Sequence, residues 1–217
     1  MLLVRANDGP SNAEPLSFIM GKNSTITPVQ RLGATAATQY LDHLLALPTA
    51  DARLRFGSAI SAETITKYVQ GIDFDTDEVF GVYGDGMTLV GAAHLAFSGD
   101  DAAELGVSVL PQQRGRGVGE ALVARAAEHA RNRKVRQLFM HCLAENATMI
   151  HIARRASMDV VIDSGDADAH VALPPADSRS LQSELMAERV ALYDFALKSQ
   201  VETFRRIGLA LVGAGGK

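Results

Sequence analysis

The stretch Leu105-Gly106-Val107-Ser108-Val109-Leu110-Pro111-Gln112-Gln113-Arg114-Gly115-Arg116-Gly117-Val118-Gly119 constrains this chain more than any other. A valine-rich run ends at a proline, three alternating glycines follow, and Glu120-Ala121-Leu122-Val123-Ala124 reads as a helix start. Glycine lacks a Cβ, so its backbone can approach a ligand closely and turn N–H groups outward. The first amides of a helix have no partner inside it, and the helix dipole adds positive potential there. An anion seated at such a junction receives charge-assisted hydrogen bonds of about 1.5–3 kcal/mol each. The competing reading is a plain glycine-rich turn, so the surroundings decide.

Those surroundings read as alternating strands and helices. Thr25–Gln30 is expected as a first strand, with Pro28 assigning it to an edge, and Leu16–Met20 as a further edge strand in a loose lead-in. Ala37, Leu41, Leu44 and Leu45 have helical spacing that stops at Pro48. Ser61 introduces a helix through Ile65, Tyr68 and Val69, with Gly71 expected just past its end. Val79–Tyr83 and Thr88–Phe97 form a hairpin across Gly84-Asp85-Gly86, and Ala103–Leu110 adds a third antiparallel strand. The helix bearing Val118, Leu122, Ala126 and Ala130 leads to a strand at Val135–Leu143, which a helical crossover makes parallel to Ala103–Leu110. Asn146–Arg155 reads as a helix, and Met158–Asp163 and His170–Leu173 as strands. Asp177–Gly208 is a long amphipathic helical stretch, either packed back on its own domain or forming a homodimer contact. The fold class is therefore α/β: a lead-in over 1–24, a mixed-sheet domain over 25–175, and a C-terminal helical extension over 176–217.

Composition excludes several partners. A net charge of −4 among 217 residues argues against a nucleic-acid binder. No stretch approaches the ~18 apolar residues of a membrane span, and Met1-Leu2-Leu3-Val4 is short for a signal-peptide core. The single cysteine, Cys142, cannot form an internal disulfide and fits a reducing, cytoplasmic setting. No Cys/His cluster has metal-ligand spacing, so no metal is expected.

Other phosphate-loop signatures fail. A dinucleotide fingerprint needs a third glycine where Glu120 stands, and there is no Gly-Lys-Ser/Thr. Arg114-Gly115-Arg116-Gly117-Val118-Gly119 instead resembles the Q/R-x-x-G-x-G/A signature of the GNAT superfamily of acetyl-CoA-dependent N-acetyltransferases. The order of elements agrees, including Ala144-Glu145-Asn146 opening the next helix, and the resemblance covers about residues 25–173. It implies a mixed, splayed sheet flanked by helices, with acetyl-CoA as co-substrate and a primary amine of a small molecule or protein as acceptor. It implies that the loop from Arg114 through Gly115, Arg116, Gly117, Val118 and Gly119 to Glu120 holds the CoA pyrophosphate. Val107, Ser108 and Val109 would bond the pantetheine arm, the Val109 N–H would stabilise the oxyanion, and Asn146 would contact the cofactor. A β-bulge would splay the central strands.

Acetyl transfer needs a neutral amine, so a base is required. Ala103-Glu104-Leu105 resembles the protein-lysine acetyltransferase branch of that superfamily, in which a glutamate is a proposed base; Glu104 is the first candidate. Glu104 is an odd number of residues from Val109 and faces oppositely in a regular strand, which a bulge between them would correct. His141 on the neighbouring strand is the second candidate, and Cys142 should point into the core. The chain departs from the family where a tyrosine serves as general acid: Ala153 stands there, and Ser157-Met158 replaces the usual Gly-Phe. That departure raises an alternative, a catalytically weak module that senses CoA esters. The resemblance also implies that the helices between the first two strands shape the acceptor pocket, and Leu54-Arg55-Phe56-Gly57 lies there.

Overall fold

Strand alternation between two apolar layers organises the chain, as seen in a computed structural model that describes residues 27–99 and 101–214, with side chains through residue 209. The lead-in and its expected strand at Leu16–Met20 lie outside the described residues. The strands are β1 (Gln30–Leu32), β2 (Glu78–Tyr83), β3 (Leu89–Ser98), β4 (Ala102–Val109), β5 (Gln137–Leu143), β6 (Asp159–Asp163) and β7 (Asp166–Ala172). They make one sheet in the order β1-β2-β3-β4-β5-β7-β6, in which only β4 and β5 pair in parallel. The helices are α1 (Ala37–Leu45), α2 (Thr49–Phe56), α3 (Ala62–Gln70), α4 (Val118–Asn132), α5 (Ala147–Arg155) and α6 (Ser178–Ala214).

Side chains on one face of the sheet, including Phe80, Ala93, Leu95, Leu105 and Val107, pack on Leu122, Val123, Ala126 and Ala130 of α4. Val79, Tyr83, Leu89 and Ala92 on the other face pack on Tyr40, Leu44, Ile65 and Val69. Pro48 caps the start of α2, and Gly57, at φ 77°, ends it. Ser61 caps α3 by accepting the Thr64 N–H at 3.1 Å.

Two expectations need correction. The first described strand lies at Gln30–Leu32, after Pro28 rather than across it, because the ladder to Val79–Gly81 requires donors that proline lacks. The expected bulge in β4 is absent: β3 and β4 pair without a shift from Gly91–Val109 through Ser98–Ala102. The strands part by another route. β4 and β5 pair only from Ala102–Gln137 to Glu104–Phe139, while β5 follows β7 along its whole length. The second half of β4 is left with an open edge.

The first half of α6 packs back on the sheet domain. Asp177 and Ser180 exchange hydrogen bonds in a capping arrangement at its start. Glu184 accepts from Arg125 at 2.8 Å, His129 at 2.5 Å and Asn132 at 2.6 Å. Lys198 donates to the Tyr83 carbonyl at 2.6 Å, and Phe195 meets the Tyr83 ring edge-on. Leu181, Leu185, Tyr193, Leu197, Val201 and Phe204 remain exposed along the outer side.

This docking depends on pH. Burial disfavours a charged His129, but hydrogen bonds and charge from Glu184 and Glu78 outweigh it and raise its pKa above the ordinary 6.5. Burial likewise opposes ionised Glu184, yet His129, Asn132 and Arg125 bring it down to about 2. The His129 contribution is complete below pH 6.5 and fades as pH rises through its raised value; that of Glu184 is complete above 4.5 and fades toward about 2. Urea denaturation should therefore show this contribution at its fullest between those limits. Glu184→Gln should cost about 1–3 kcal/mol near pH 6, because Glu188 stays on Arg125 and Glu78 on His129. His129→Gln should remove the alkaline decline.

Candidate active site

The open edge of β4 forms one wall of a cleft of about 310 Å³, and the glycine loop forms its end. Leu110 N–H donates to the Val90 carbonyl at 2.9 Å. Amides alternate in direction along an antiparallel ladder, so Val107 and Val109 turn their N–H and C=O groups away from β3, into the gap left by β5. Arg114 Nε donates to the Val109 carbonyl at 3.3 Å, and the Val109 side chain packs on the α4 side.

Gly115 and Gly117 both have left-handed backbones, at φ 70° and 78°. Gly117 is the N-cap of α4, and the Ala121 N–H donates to its carbonyl at 2.9 Å. Val118, Gly119 and Glu120 are thus the first helical residues, and all three line the cleft with Gly115 and Gly117. The structure brings together on this cleft Val107, Ser108, Val109, Arg114, Gly115, Gly117, Val118, Gly119, Glu120 and Asn146 of the sequence-predicted set. Arg116 is exposed on the loop but does not line it. Asn146 also caps α5, accepting the Met149 N–H at 3.1 Å. Helix α2 spans the cleft, with Asp51 paired to Arg114 at 2.6 Å on one side and Arg53 paired to Glu145 on the other.

Glu104 lies farther along β4 in a second concavity, of about 590 Å³, shared with His141, Asp168 and His170. With β4 regular, Glu104 shares its face with Gly106 and Ser108, opposite Val107 and Val109. His141 is half-exposed on β5 and donates from Nδ1 to Asp168 Oδ1 at 2.6 Å. That hydrogen bond raises its pKa, against slight desolvation. Cys142 points to the opposite face, packs with Ile150 and Ala167, and has its thiol pKa raised by burial. Ala153 is 1% exposed within the core, so the cleft meets α5 at Thr148, Met149, His151 and Ile152 instead.

A polar cluster joins α1, α2, α3 and β3, of which the sequence pointed only to the segment holding Arg55. His43 Nδ1 lies 2.9 Å from the Leu89 carbonyl, which can only accept, so Nδ1 carries the proton and Nε2 accepts from Ser108 Oγ at 2.9 Å. Arg55 donates to Tyr68 Oη at 3.0 Å; Tyr68 donates to His94 Nδ1 at 2.6 Å, and His94 Nε2 donates to Asp77 at 3.2 Å. Burial lowers the pKa of both His43 and His94, and the Arg55 charge adds to the effect.

Among the described residues, no group of three or more His, Cys, Asp or Glu side chains is arranged to hold a metal ion. No described helix is long and apolar enough to cross a membrane.

No curated protein sequence matches the chain. Solved structures do. The GNAT domain of S. lividans PAT superposes with a TM-score of 0.57 at 20% identity, over 67% of this chain and 89% of that one. Ribosomal-protein-alanine N-acetyltransferase from Brucella melitensis gives 0.51 at 20%, over 67% and 99%. The yncA protein of Salmonella typhimurium, solved with its cofactor acetyl-CoA, gives 0.53 at 16%, over 71% and 98%. The sequence pattern of the Acetyltransferase (GNAT) family matches residues 42–157, which run from α1 through β4, the glycine loop and α5. With more than half of its length so matched, the chain belongs to the GNAT acetyltransferase family and is an acyltransferase.

Proposed function

We propose that this protein transfers the acetyl group of acetyl-CoA directly to a primary amine of a small molecule or protein. One observation carries the reading: the free edge of β4 runs straight into a left-handed glycine loop at the N-terminus of α4. The loop amides from Gly115 to Glu120 suit a diphosphate, with Arg114 and Arg116 beside it. The edge at Val107–Val109 suits the amides of a pantetheine arm, and Asn146 faces it from α5. Acetyl-CoA supplies the thioester.

Glu104 takes a proton from the acceptor ammonium, which frees a lone pair on nitrogen. As the N–C bond forms and the C–S bond breaks, the Val109 N–H steadies the negative oxygen. The thiolate leaves with a conjugate-acid pKa near ~8.5, as for cysteine, and so needs little help from an acid. Asp168 favours the protonated form of His141, which suits a proton donor better than a base. The relative from Brucella melitensis is named for an alanine of a ribosomal protein, an amine acceptor of this type.

Calorimetry with acetyl-CoA, together with thiol release across a panel of amines, tests the reading. Micromolar binding and turnover of at least one amine are expected. Binding without turnover of any amine would instead favour a sensor of CoA esters, a reading that the buried Ala153 supports.

A further inference from the structure

We infer that Arg55 and Glu104 form the two poles of an acceptor site for a short zwitterion, an amino acid with a free carboxylate. The inference rests on the transferase reading and names its acceptor class.

Arg55 reaches from α2 into the cofactor cleft and lies flat against β4. A Cβ on Gly106 would fall 2.3 Å from Arg55 Cζ, so this strand position must be glycine for the guanidinium to stay. Glu104 projects from the same face two residues away, about 7 Å along the strand. The cation therefore sits between the proposed base and the wall of the cleft at Val107–Val109.

The charge is held but not neutralised. Its ring neighbours are Phe56 at 5.0 Å and Tyr68 at 5.8 Å, Tyr68 Oη accepts a hydrogen bond from it, and the buried Tyr40 phenol lies beside both. Arginine only donates, so the Tyr68 proton goes to His94 and the His94 proton to Asp77. That chain fixes the guanidinium through a neutral phenol. Among the described residues no carboxylate lies within 4.0 Å of it, whereas Arg114, Arg53 and Arg31 each have one. Arg55 Nε is buried without an acceptor. His43 and His94 beside it both favour the neutral form, so neither adds charge.

A desolvated cation without a counter-ion is costly, and a ligand carboxylate that forks onto the guanidinium removes the cost. The amine of the same molecule, one carbon from that carboxylate, then falls toward Glu104. A polyamine would instead bring a second cation against Arg55.

The test follows CoA release from acetyl-CoA with free amino acids, their C-terminal amides and spermidine. It uses the full chain, Arg55→Gln and Arg55→Lys, with calorimetric acetyl-CoA affinity for each. At least one free amino acid should exceed its amide in kcat/KM by about 10- to 100-fold. Arg55→Gln should raise KM for that acid by a similar factor and erase the difference between acid and amide, with acetyl-CoA affinity falling less than tenfold. Arg55→Lys should keep part of the preference. Amides or spermidine matching the acids, or a preference that survives Arg55→Gln, would overturn the assignment. So would a tenfold loss of acetyl-CoA affinity in Arg55→Gln, which would put the guanidinium on the cofactor. If the variants do not fold, the acid-to-amide ratio of the unaltered chain decides alone. Failure of that chain to bind acetyl-CoA would instead strike the transferase reading beneath the proposal, whereas binding with turnover of spermidine alone would strike only the acceptor.

Discussion

Replacing Glu104 by glutamine should lower kcat by about 10²–10⁴-fold at pH 7, the usual worth of a positioned general base, while acetyl-CoA affinity stays within twofold. The separation follows from position. Glu104 is the last β4 residue paired with β5 and lines the second concavity instead of the cleft that holds the glycine loop, so the proposed role confines it to the acceptor side. Glutamine preserves length and hydrogen bonding on an exposed strand residue, and the ladder to Ala96 does not depend on the side chain. Folding should therefore be unaffected. The loss should also shrink with rising pH, because a larger share of the acceptor arrives already deprotonated; Glu104→Asp should recover part of the rate. A Glu104→Gln enzyme with full kcat would move the base elsewhere, and a rise in the acetyl-CoA dissociation constant would mean that Glu104 supports the cleft.

Local chemistry made most of the fold legible. The apolar strand at Val79–Tyr83, the helical spacing from Val118 to Ala130, and the crossover that makes β5 parallel to β4 all reappear in the structure. The glycine loop was readable because its backbone demand is local: Gly115 and Gly117 both take positive φ. The contacts made by the Leu54–Gly57 segment and by His43 were not. His43 meets Ser108 across 65 residues of sequence, and Arg55 meets Gly106 only after α2 is folded over the sheet. Nothing in the spacing of a helical arginine says which strand it will lie against. The bulge expected in β4 failed for a related reason. The cleft arises because β5 follows β7 along its whole length, a long-range choice that leaves the β3–β4 register intact.

Gly117→Val should weaken acetyl-CoA binding by about 100-fold or more. Gly117 has φ 78° and ψ 2°, with open space where its Cβ would stand. The obstacle is therefore conformational and not a collision with a neighbour. A β-branched residue in the left-handed region is a strong outlier, costing about 1–2 kcal/mol before its side chain is accommodated. The chain relieves that strain by swinging residue 117 toward an extended backbone, which reorients the peptide entering α4. The amides of Val118, Gly119 and Glu120 then lose their common aim at the cleft. Losing two charge-assisted hydrogen bonds at about 1.5–3 kcal/mol each is enough for the predicted factor. Gly117→Ala should fall between the two, because alanine enters the left-handed region more readily than valine. The body of α4 should survive, since Leu122, Val123, Ala126 and Ala130 anchor it in the core; circular dichroism should be unchanged while calorimetry loses the binding heat. Acetyl-CoA affinity within threefold of the unaltered chain would remove the diphosphate from this loop.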